Sequence, residues 1–284
     1  MGRYRKILVA VDGSNSSRNA FRQACRIARS DESWITAVTA IPLFQDQFDV
    51  ISTKEKVSSA LRREGENILS DIKKIAGEEN VFVKVKLEEG SPADTIIEIA
   101  DENNFDLIVI GRHGKSRIER VLMGSVTARV IGHTPKDVLV VPDNAEIGWQ
   151  KILLTTDGSK YNKAAAERAI DIAKGYGSEL KIISVVDVPP EFYAEAPNAV
   201  DDMINKAKGY VDDVKKKAET EGVKTEVFVR EGESYQIIVG LAGEQGVETI
   251  VMGSHGRTGL ERLLMGSVTE KVIGYSPCPV LVVR

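Results

Sequence analysis

The sequence contains one long segment twice. Residues 111–141, GRHGKSRIERVLMGSVTARVIGHTPKDVLVV, align without a gap to residues 253–283, GSHGRTGLERLLMGSVTEKVIGYSPCPVLVV, with 19 identities in 31 positions. A second match opens each half, where RKILVAVDGS at 5–14 corresponds to QKILLTTDGS at 150–159. The repeat period of about 140 residues is far longer than the 20 to 50 residues of stacked repeat arrays. The sequence therefore predicts a duplicated domain.

The junction between the halves is short. At 284 residues the chain suits two domains of ordinary size. The stretch VPDNAEIGWQK, residues 141–151, contains proline, asparagine and glycine that interrupt the strand pattern. We place the first domain at 1–145 and the second at 146–284. Because almost no linker separates them, we expect the two domains to pack as a pseudo-symmetric pair within the chain.

Short apolar runs alternate with helical patterns in each half. Runs such as LIVI and VLVV are typical of parallel strands that helices bury on both faces. The pattern predicts an α/β fold, with five strands and four helices per half forming a small doubly wound sheet. In the first half we predict strands at KILVAV, WITAVTAI, VFVKVKL, DLIVIG and DVLVVP, and helices near 15–29, 54–79, 92–103 and 125–133. In the second half we predict strands at KILLTT, LKIISVVD, TEVFVRE, TIVMG and PVLVV.

Charge and composition exclude several classes of function. The formal net charge of −4 gives no general attraction to nucleic acid or to an anionic membrane. No apolar run approaches the roughly 20 residues that span a bilayer, and we expect the protein to remain in the cytoplasm. Cys25 and Cys278, the two cysteines, lack CxxC spacing and are expected to be small buried hydrophobes.

The repeated glycine loop suits a polyphosphate. Ligands of open parallel sheets bind at the carboxyl ends of the strands, and this loop leads from the fourth strand into a helix that begins SVT. Glycines let the backbone approach an anion, and the N-terminus of the following helix presents N–H groups and a positive dipole end. Hydroxyl donors and positive charge accompany both loops. These side chains are Ser125, Thr127, Ser267, Thr269, Lys115 and Arg257.

Other residues extend the site toward a base and a sugar. Asp12 and Asp157 end the first strand of each half and could accept hydrogen bonds from a ribose or a purine edge. Ala40 and Val185, in the second strands, could form an apolar wall for a base. Together with the glycine loop, these residues predict a nucleotide pocket in each half.

Simpler interpretations compete with a pocket. An Asp-Gly-Ser sequence after a strand is commonly a helix cap or a turn. His113 and His255 are more often structural hydrogen-bonding residues than bases or ligands, and the glycines could serve only to shape a loop. The chain has neither a Walker A loop nor GxGxxG after the first strand, and its three histidines show no HExxH or other metal-binding spacing.

At these residues the sequence resembles the universal stress protein family over essentially its whole length. The family's nucleotide motif is Gly, two residues, Gly, nine residues, Gly, then Ser or Thr. Both halves contain it, at Gly111, Gly114, Gly124 and Ser125 and at Gly253, Gly256, Gly266 and Ser267. The second half matches more closely, because Arg112 stands where the family more commonly has serine.

The resemblance implies an adenine nucleotide alpha hydrolase-like fold with strand order 3-2-1-4-5. It also implies ATP or another adenine nucleotide, with Mg²⁺ as a possible companion, bound without strong hydrolysis. Family members pair through the fifth strand, which implies intrachain pairing of DVLVV with PVLVV and leaves a further homodimer open. The binding residues implied for the two halves are Asp12, Ala40, Gly111, Gly114, Gly124, Ser125, Val126, Thr127, Asp157, Val185, Met252, Gly253, Gly256, Gly266, Ser267, Val268 and Thr269.

Three functions follow from this sequence. The first is a stress-response sensor that binds an adenine nucleotide, performs little or no catalysis and engages a protein partner. The second is a weak ATP hydrolase or nucleotidyl transferase, although the loop offers no obvious general base and the chain has no HxGH or SGGxDS signature. The third is a scaffold with vestigial pockets.

Overall fold

The computed structural model describes residues 4–42, 51–115, 123–256 and 265–284. These residues form two compact units, Met1–Asn144 and Ala145–Arg284. Each unit is an α/β domain built on a parallel sheet, as the alternation of apolar runs and helical patterns predicted.

The first unit has the strand order β3-β2-β1-β4-β5, and every neighbouring pair is parallel. The predicted order 3-2-1-4-5 is therefore confirmed here. The backbone of β4 and β5 is buried throughout, as expected for strands covered on both faces. The elements are β1 (Lys6–Ala10), α1 (Asn15–Asp31), β2 (Trp34–Ile41), α2 (Ile51–Glu78), β3 (Val83–Glu89), α3 (Pro92–Glu102), β4 (Leu107–Gly111), α4 (Ser125–His133) and β5 (Asp137–Val141).

The second unit repeats this topology as β8-β7-β6-β9-β10, again with parallel neighbours. As at β1 and β4 of the first unit, the chain changes the side on which it adds strands between β6 and β9, while all strands of the unit stay parallel. The elements are β6 (Lys151–Thr155), α5 (Lys160–Tyr176), β7 (Glu179–Val186), α6 (Glu191–Glu195), α7 (Pro197–Thr220), β8 (Lys224–Glu231), α8 (Ser234–Glu244), β9 (Thr249–Gly253), α9 (Ser267–Tyr275) and β10 (Val280–Val283).

One prediction about the helices is wrong in the second unit. Four helices were expected, and the described residues of this unit contain five because the segment after β7 forms the short additional helix α6. Pro197 occupies the first turn of α7. The ring of a proline disfavours helical backbone at the preceding residue, and Ala196 has φ −142°. The proline therefore separates α6 from α7.

The two cysteines are buried and free, as predicted. Burial raises the pKa of the Cys25 thiol to about 12, and it also raises the pKa of Cys278. Neither thiol lies among the residues that line the cavities described below. Both side chains therefore act as small apolar groups of the core.

Candidate functional site

A cavity of about 260 Å³ opens in the first unit at the carboxyl ends of its strands. Its walls come from the ends of β1, β2 and β4, from the beginning of α3 and from the loop that leads into α4. The structure brings together all the residues that the sequence placed in the first site. They are Asp12, Ala40, Gly111, Gly114, Gly124, Ser125, Val126 and Thr127.

The second unit has a cavity of about 170 Å³ at the equivalent place. The structure also brings together every described residue that the sequence placed in this second site. They are Asp157, Val185, Met252, Gly253, Gly256, Gly266, Ser267, Val268 and Thr269. The two cavities are therefore built from corresponding positions of the repeat.

The carboxylate of Asp12 is fixed by donors on three sides. Its Oδ1 accepts hydrogen bonds from the backbone N–H of Ser14, at 3.0 Å, and from the Ser14 hydroxyl, at 2.6 Å. Its Oδ2 accepts from the backbone N–H of Lys115 at 2.9 Å. Burial alone would raise the pKa of Asp12, but the hydrogen bonds from Ser14, Ser17 and Lys115 outweigh it and hold this pKa below its ordinary value. Asp12 is therefore an anion that joins the β1 turn to the glycine loop.

Asp157 is held in a similar way with one different partner. Its Oδ1 accepts from the backbone N–H of Ser159 at 2.9 Å and from the side-chain amide of Asn162. The interpretation of Asp-Gly-Ser as a helix cap is also correct, because Ser14 and Ser159 cap α1 and α5. The same turn thus caps a helix and places a carboxylate at the cavity.

Packing within the protein requires the first two glycines of the first motif and the second glycine of the other motif. A Cβ on Gly111 would lie 2.6 Å from the Ser16 hydroxyl, and a Cβ on Gly114 would lie 2.7 Å from Oδ2 of Asp12. In the second unit, a Cβ on Gly256 would lie 2.9 Å from Oδ2 of Asp157. Contacts below 3.0 Å are too short for a real Cβ, so these glycines let the loop approach the β1 or β6 turn. At Gly253 a Cβ would lie 3.1 Å from the Tyr161 backbone, which is tight but above that limit.

The third glycine of each motif has no such requirement among the described residues. Gly124 has φ −64° and Gly266 has φ −68°, values that any residue adopts. An added Cβ would meet its nearest described neighbour at 3.6 Å on Gly124 and at 3.5 Å on Gly266, which is ordinary van der Waals contact. Each Cβ would lie beside the backbone nitrogen of the second glycine, Gly114 or Gly256. The absent side chain leaves open the space in front of the loop.

This open space adjoins a helix N-terminus. Gly124 and Gly266 are the N-caps of α4 and α9, and no side chain hydrogen bond caps either helix within the described residues. The first N–H groups of a helix have no partner within it, and residues of both first turns line the cavities. Each cavity therefore contains a set of backbone donors and the positive end of a helix dipole.

Two of the predicted hydroxyl donors are used inside the protein. Thr127 donates from Oγ1 to the carbonyl oxygen of Gly111 at 3.0 Å, and Thr269 donates to that of Gly253 at 3.1 Å. Both threonines are buried. In this structure each hydroxyl hydrogen ties its helix to the preceding strand, and contact of these threonines with a ligand stays a prediction. Among the described residues, Ser125 and Ser267 make no such bond, and both line the cavities.

The predicted positive charges differ in outcome. Lys115 lines the first cavity, and its ammonium group forms an ion pair with Glu64 of α2. Its charge is thus partly balanced in this structure. Arg257, the corresponding residue of the second loop, lies outside the described residues.

The apolar side of each cavity is larger than the sequence indicated. Ala40 and Val185 were predicted, and the structure adds side chains from β2, α3 and β4 and their counterparts. The alternation along β2 contained a signal, because residues two apart share a face. The added apolar residues are Val38, Ile96, Ile110, Ile183 and Ile238.

His113 and His255 also line the cavities. The Nδ1 atom of His255 lies 3.1 Å from the hydroxyl of Ser254, so this histidine has the structural bonding that the sequence led us to expect. In the described part of the chain, no group of three His, Cys, Asp or Glu side chains could hold a metal ion. No helix among those same residues is long and apolar enough to cross a membrane.

The fold and the cavities define a class: a tandem α/β protein whose two glycine loops each lead into a helix N-terminus. A model of the universal stress protein family matches residues 3–142 and 148–284, and the chain belongs to this family. Universal stress protein MJ0531 of Methanocaldococcus jannaschii is 43% identical over 141 residues, which cover 49% of this chain and 82% of that protein. Because the model matches each half separately, the chain is a tandem form.

Two solved structures give the comparison at the level of the fold. A universal stress protein from Archaeoglobus fulgidus has a TM-score of 0.73 and 22% identity, covering 98% of this chain and 96% of that chain. This likeness shows that the fold is shared. A universal stress protein solved in complex with cAMP is 28% identical, with a TM-score of 0.39, over 49% of this chain and 97% of that chain.

Proposed function

We propose that each unit binds an adenine nucleotide, with ATP as the principal ligand, in the cavity at the carboxyl ends of its strands. The observation that carries this proposal is the third glycine of the motif. Gly124 and Gly266 have ordinary backbone angles and room for a Cβ among the described residues. A scaffold with vestigial pockets gives no reason for glycine at these two places, whereas a phosphate lying against the loop needs the space.

The parts of a nucleotide match the parts of the cavity. Phosphate oxygens suit the N–H groups at the start of α4 and α9, together with the Ser125 and Ser267 hydroxyls. The base suits the apolar wall that includes Ala40 or Val185. Oδ2 of Asp12 accepts the backbone N–H of Lys115 and has a second lone pair that suits a ribose hydroxyl.

Magnesium would come with the nucleotide in this proposal. The ion is commonly bound through substrate phosphates and water instead of an all-protein cage. The oxygens of Asp12 receive N–H and O–H donors in this structure, and a cation would displace those donors. We therefore assign no described residue as a magnesium ligand.

We further propose that the protein acts as a nucleotide-responsive regulator in the cytoplasm and not as an efficient enzyme. In this function the nucleotide state changes binding of a protein partner. The hydrolase and transferase alternatives predict multiple turnovers. Steady release of ADP or AMP, lost when the glycine loops are altered, would identify such an enzyme.

The first test measures nucleotide content. The freshly purified protein is denatured, and released nucleotides are separated by chromatography, identified by mass and compared with the protein concentration. Calorimetric titration with ATP and Mg²⁺ then gives the number of sites on nucleotide-free protein. We expect about two sites per chain, because every motif position recurs in both cavities.

Matched variants connect binding to the loops. Gly124→Leu and Gly266→Leu should each remove one site, because the side chain fills the space in front of the helix N-terminus. Gly175→Leu is the control, since Gly175 lies in α5, is exposed and would place its Cβ in open space among the described residues. Undiminished binding in both loop variants, or no nucleotide and no ATP binding in the wild-type protein, would refute the proposed function.

A further inference from the structure

The surroundings of His255 in the second unit form a chain of side-chain hydrogen bonds. Arg284 donates from Nη1 to the hydroxyl oxygen of Ser254 at 3.0 Å, and that oxygen lies 3.1 Å from Nδ1 of His255. Ser254 is fully buried at 0% exposure, while His255 lines the cavity. The ring of Tyr161 packs against the imidazole with 5.2 Å between centroids. The histidine is therefore held at its edge and on its face.

The chemistry of these groups sets the direction of the hydrogen bonds. A guanidinium group only donates, so Arg284 uses a lone pair of the Ser254 oxygen. If His255 donated from Nδ1 to Ser254, two N–H donors would point at one hydroxyl oxygen, and the buried Ser254 hydroxyl hydrogen would need another acceptor. When Ser254 donates to Nδ1 instead, the neutral imidazole has its hydrogen on Nε2. The arrangement thus favours the Nε2–H tautomer of His255.

The first unit lacks this chain. In the alignment of the halves, Arg112 occupies the place of Ser254 and Pro142 that of Arg284. Ser16 stands in place of Tyr161, and its hydroxyl oxygen accepts the backbone N–H of His113 at 3.5 Å. The two histidines line equivalent cavities but are supported by different groups.

We propose that Arg284 and Ser254 are positioning residues that hold His255 as an N–H donor for a phosphate oxygen in the second cavity. The Nε2–H tautomer directs a donor toward an anion, whereas the other neutral tautomer would present a lone pair. The two cavities of the chain are then unequal in how they hold phosphate. The phosphate role rests on the proposed function, but the tautomer of His255 is measurable without any nucleotide.

The first experiment determines that tautomer. Long-range ¹H–¹⁵N spectra are recorded on the ligand-free full chain at about pH 8, where an ordinary histidine is neutral. The chain has three histidines, so His→Gln variants at each position assign the signals. His133 is an internal reference for the Nδ1–H form, because its Nδ1 lies 3.0 Å from the carbonyl oxygen of Arg129, which can only accept.

We expect the Nε2–H form for His255 in the wild-type protein and a loss of that preference in Ser254→Ala and Arg284→Gln. An Nδ1–H form of His255 in the wild-type protein would overturn the proposal. So would an Nε2–H form that both variants leave unchanged, because Arg284 and Ser254 would then not hold the tautomer.

The second experiment measures ATP affinity with the first cavity closed by Gly124→Leu. Arg284→Gln should weaken binding at the second cavity about 3- to 10-fold, the effect of one hydrogen bond. Arg284→Lys, which retains a charged donor, should recover part of the affinity. Lys217→Gln is the control: it removes the same charge from a residue whose partner is Glu167 and which does not line the cavity.

The outcomes separate this proposal from the one on which it rests. Equal ATP affinity in the Arg284→Gln protein and its parent overturns the phosphate role of His255 while nucleotide binding stands. If the wild-type protein binds no ATP, the proposed function fails and the phosphate role fails with it. The spectra then still report whether Arg284 and Ser254 fix the imidazole.

Discussion

Alanine at the third glycine should separate folding stability from nucleotide binding. In Gly124→Ala the new Cβ lies 3.6 Å from its nearest described neighbour, and the backbone angle of φ −64° suits alanine. A glycine-to-alanine change at a compatible position stabilises a protein by about 0.4–1 kcal/mol, since the unfolded chain loses freedom. At an N-cap, however, glycine is preferred to alanine by a comparable amount. We therefore expect Gly124→Ala and Gly266→Ala to lie within about 1 kcal/mol of the wild-type protein in unfolding free energy.

ATP binding should change much more than stability. The added methyl group lies beside the backbone nitrogen of the second glycine, in the space that we assign to phosphate. Loss of one hydrogen bond to a charged group corresponds to about 1.5–3 kcal/mol, or a tenfold or greater weakening of ATP binding at that cavity. A methyl group at this place thus leaves the stability of the fold nearly unchanged and damages the site.

Alanine at the second glycine provides the contrast. In Gly114→Ala the Cβ would lie 2.7 Å from Oδ2 of Asp12, so the carboxylate must move. That oxygen accepts the N–H of Lys115 at 2.9 Å. Loss of this charged hydrogen bond should cost about 1.5–3 kcal/mol of unfolding free energy.

The assay combines urea unfolding, followed by circular dichroism, with calorimetric titration of ATP on the same preparations. Gly124→Ala should be close to wild type in stability, and Gly114→Ala should be clearly less stable than both. If Gly124→Ala and Gly266→Ala both bind ATP as tightly as the wild-type protein, the third glycine does not reserve space for phosphate. If Gly124→Ala is as unstable as Gly114→Ala, the distinction between the two glycines is wrong.

Three further predictions concern buried polar groups. Because the pKa of Asp12 is lowered in the folded state, its carboxylate stabilises the fold above the unfolded pKa near 4, and this contribution is lost as pH falls through the lower folded pKa. The loss of unfolding free energy in Asp12→Asn, measured by urea unfolding, should therefore be largest near pH 7 and shrink below about pH 4. A loss that does not change with pH would contradict this. Lys181, with a side chain 5% exposed, pairs with Glu226 and, at 3.8 Å, with Glu179. Glu226→Gln should lower the unfolding free energy by about 1–3 kcal/mol, and more than Lys181→Met, which removes the buried charge itself. A larger loss in Lys181→Met would show that Glu226 does not compensate the buried charge. Cys25 and Cys278, both buried with raised pKa values, should resist iodoacetamide at pH 8 and react in urea, and modification of the native protein, measured by mass, would contradict their burial.

The residues of the site could be predicted from the sequence because the strands of a parallel sheet all end at the same edge. Residues that follow β1 and β4 along the chain therefore meet at the carboxyl edge of the sheet. Asp12 and Gly114 are far apart in sequence, and both line the first cavity. A pattern of strand ends was sufficient to place them together.

The direction of individual side chains could not be predicted. The sequence shows that Thr127 has a hydroxyl group, but it does not show whether this hydroxyl bonds to a ligand or to the carbonyl of Gly111. That depends on the packing of α4 against β4. The sequence does not distinguish the glycines of one motif. In the structure, the Asp12 carboxylate leaves no room for a Cβ at Gly114, whereas no described residue excludes a Cβ at Gly124. The relation of Arg284 to His255 joins separate elements, and no spacing rule contains it.

The two halves have an arginine at different aligned positions, and this limits how the repeats can be recombined. Each half has one guanidinium group among two aligned positions: Arg112 with Pro142 in the first, and Ser254 with Arg284 in the second. A crossover between these positions would give one hybrid with two arginines and a reciprocal hybrid with none. The first would lack the serine that joins the arginine to the imidazole, and the second would have the serine without its arginine donor. Engineers who exchange loops between the halves must therefore transfer both positions together.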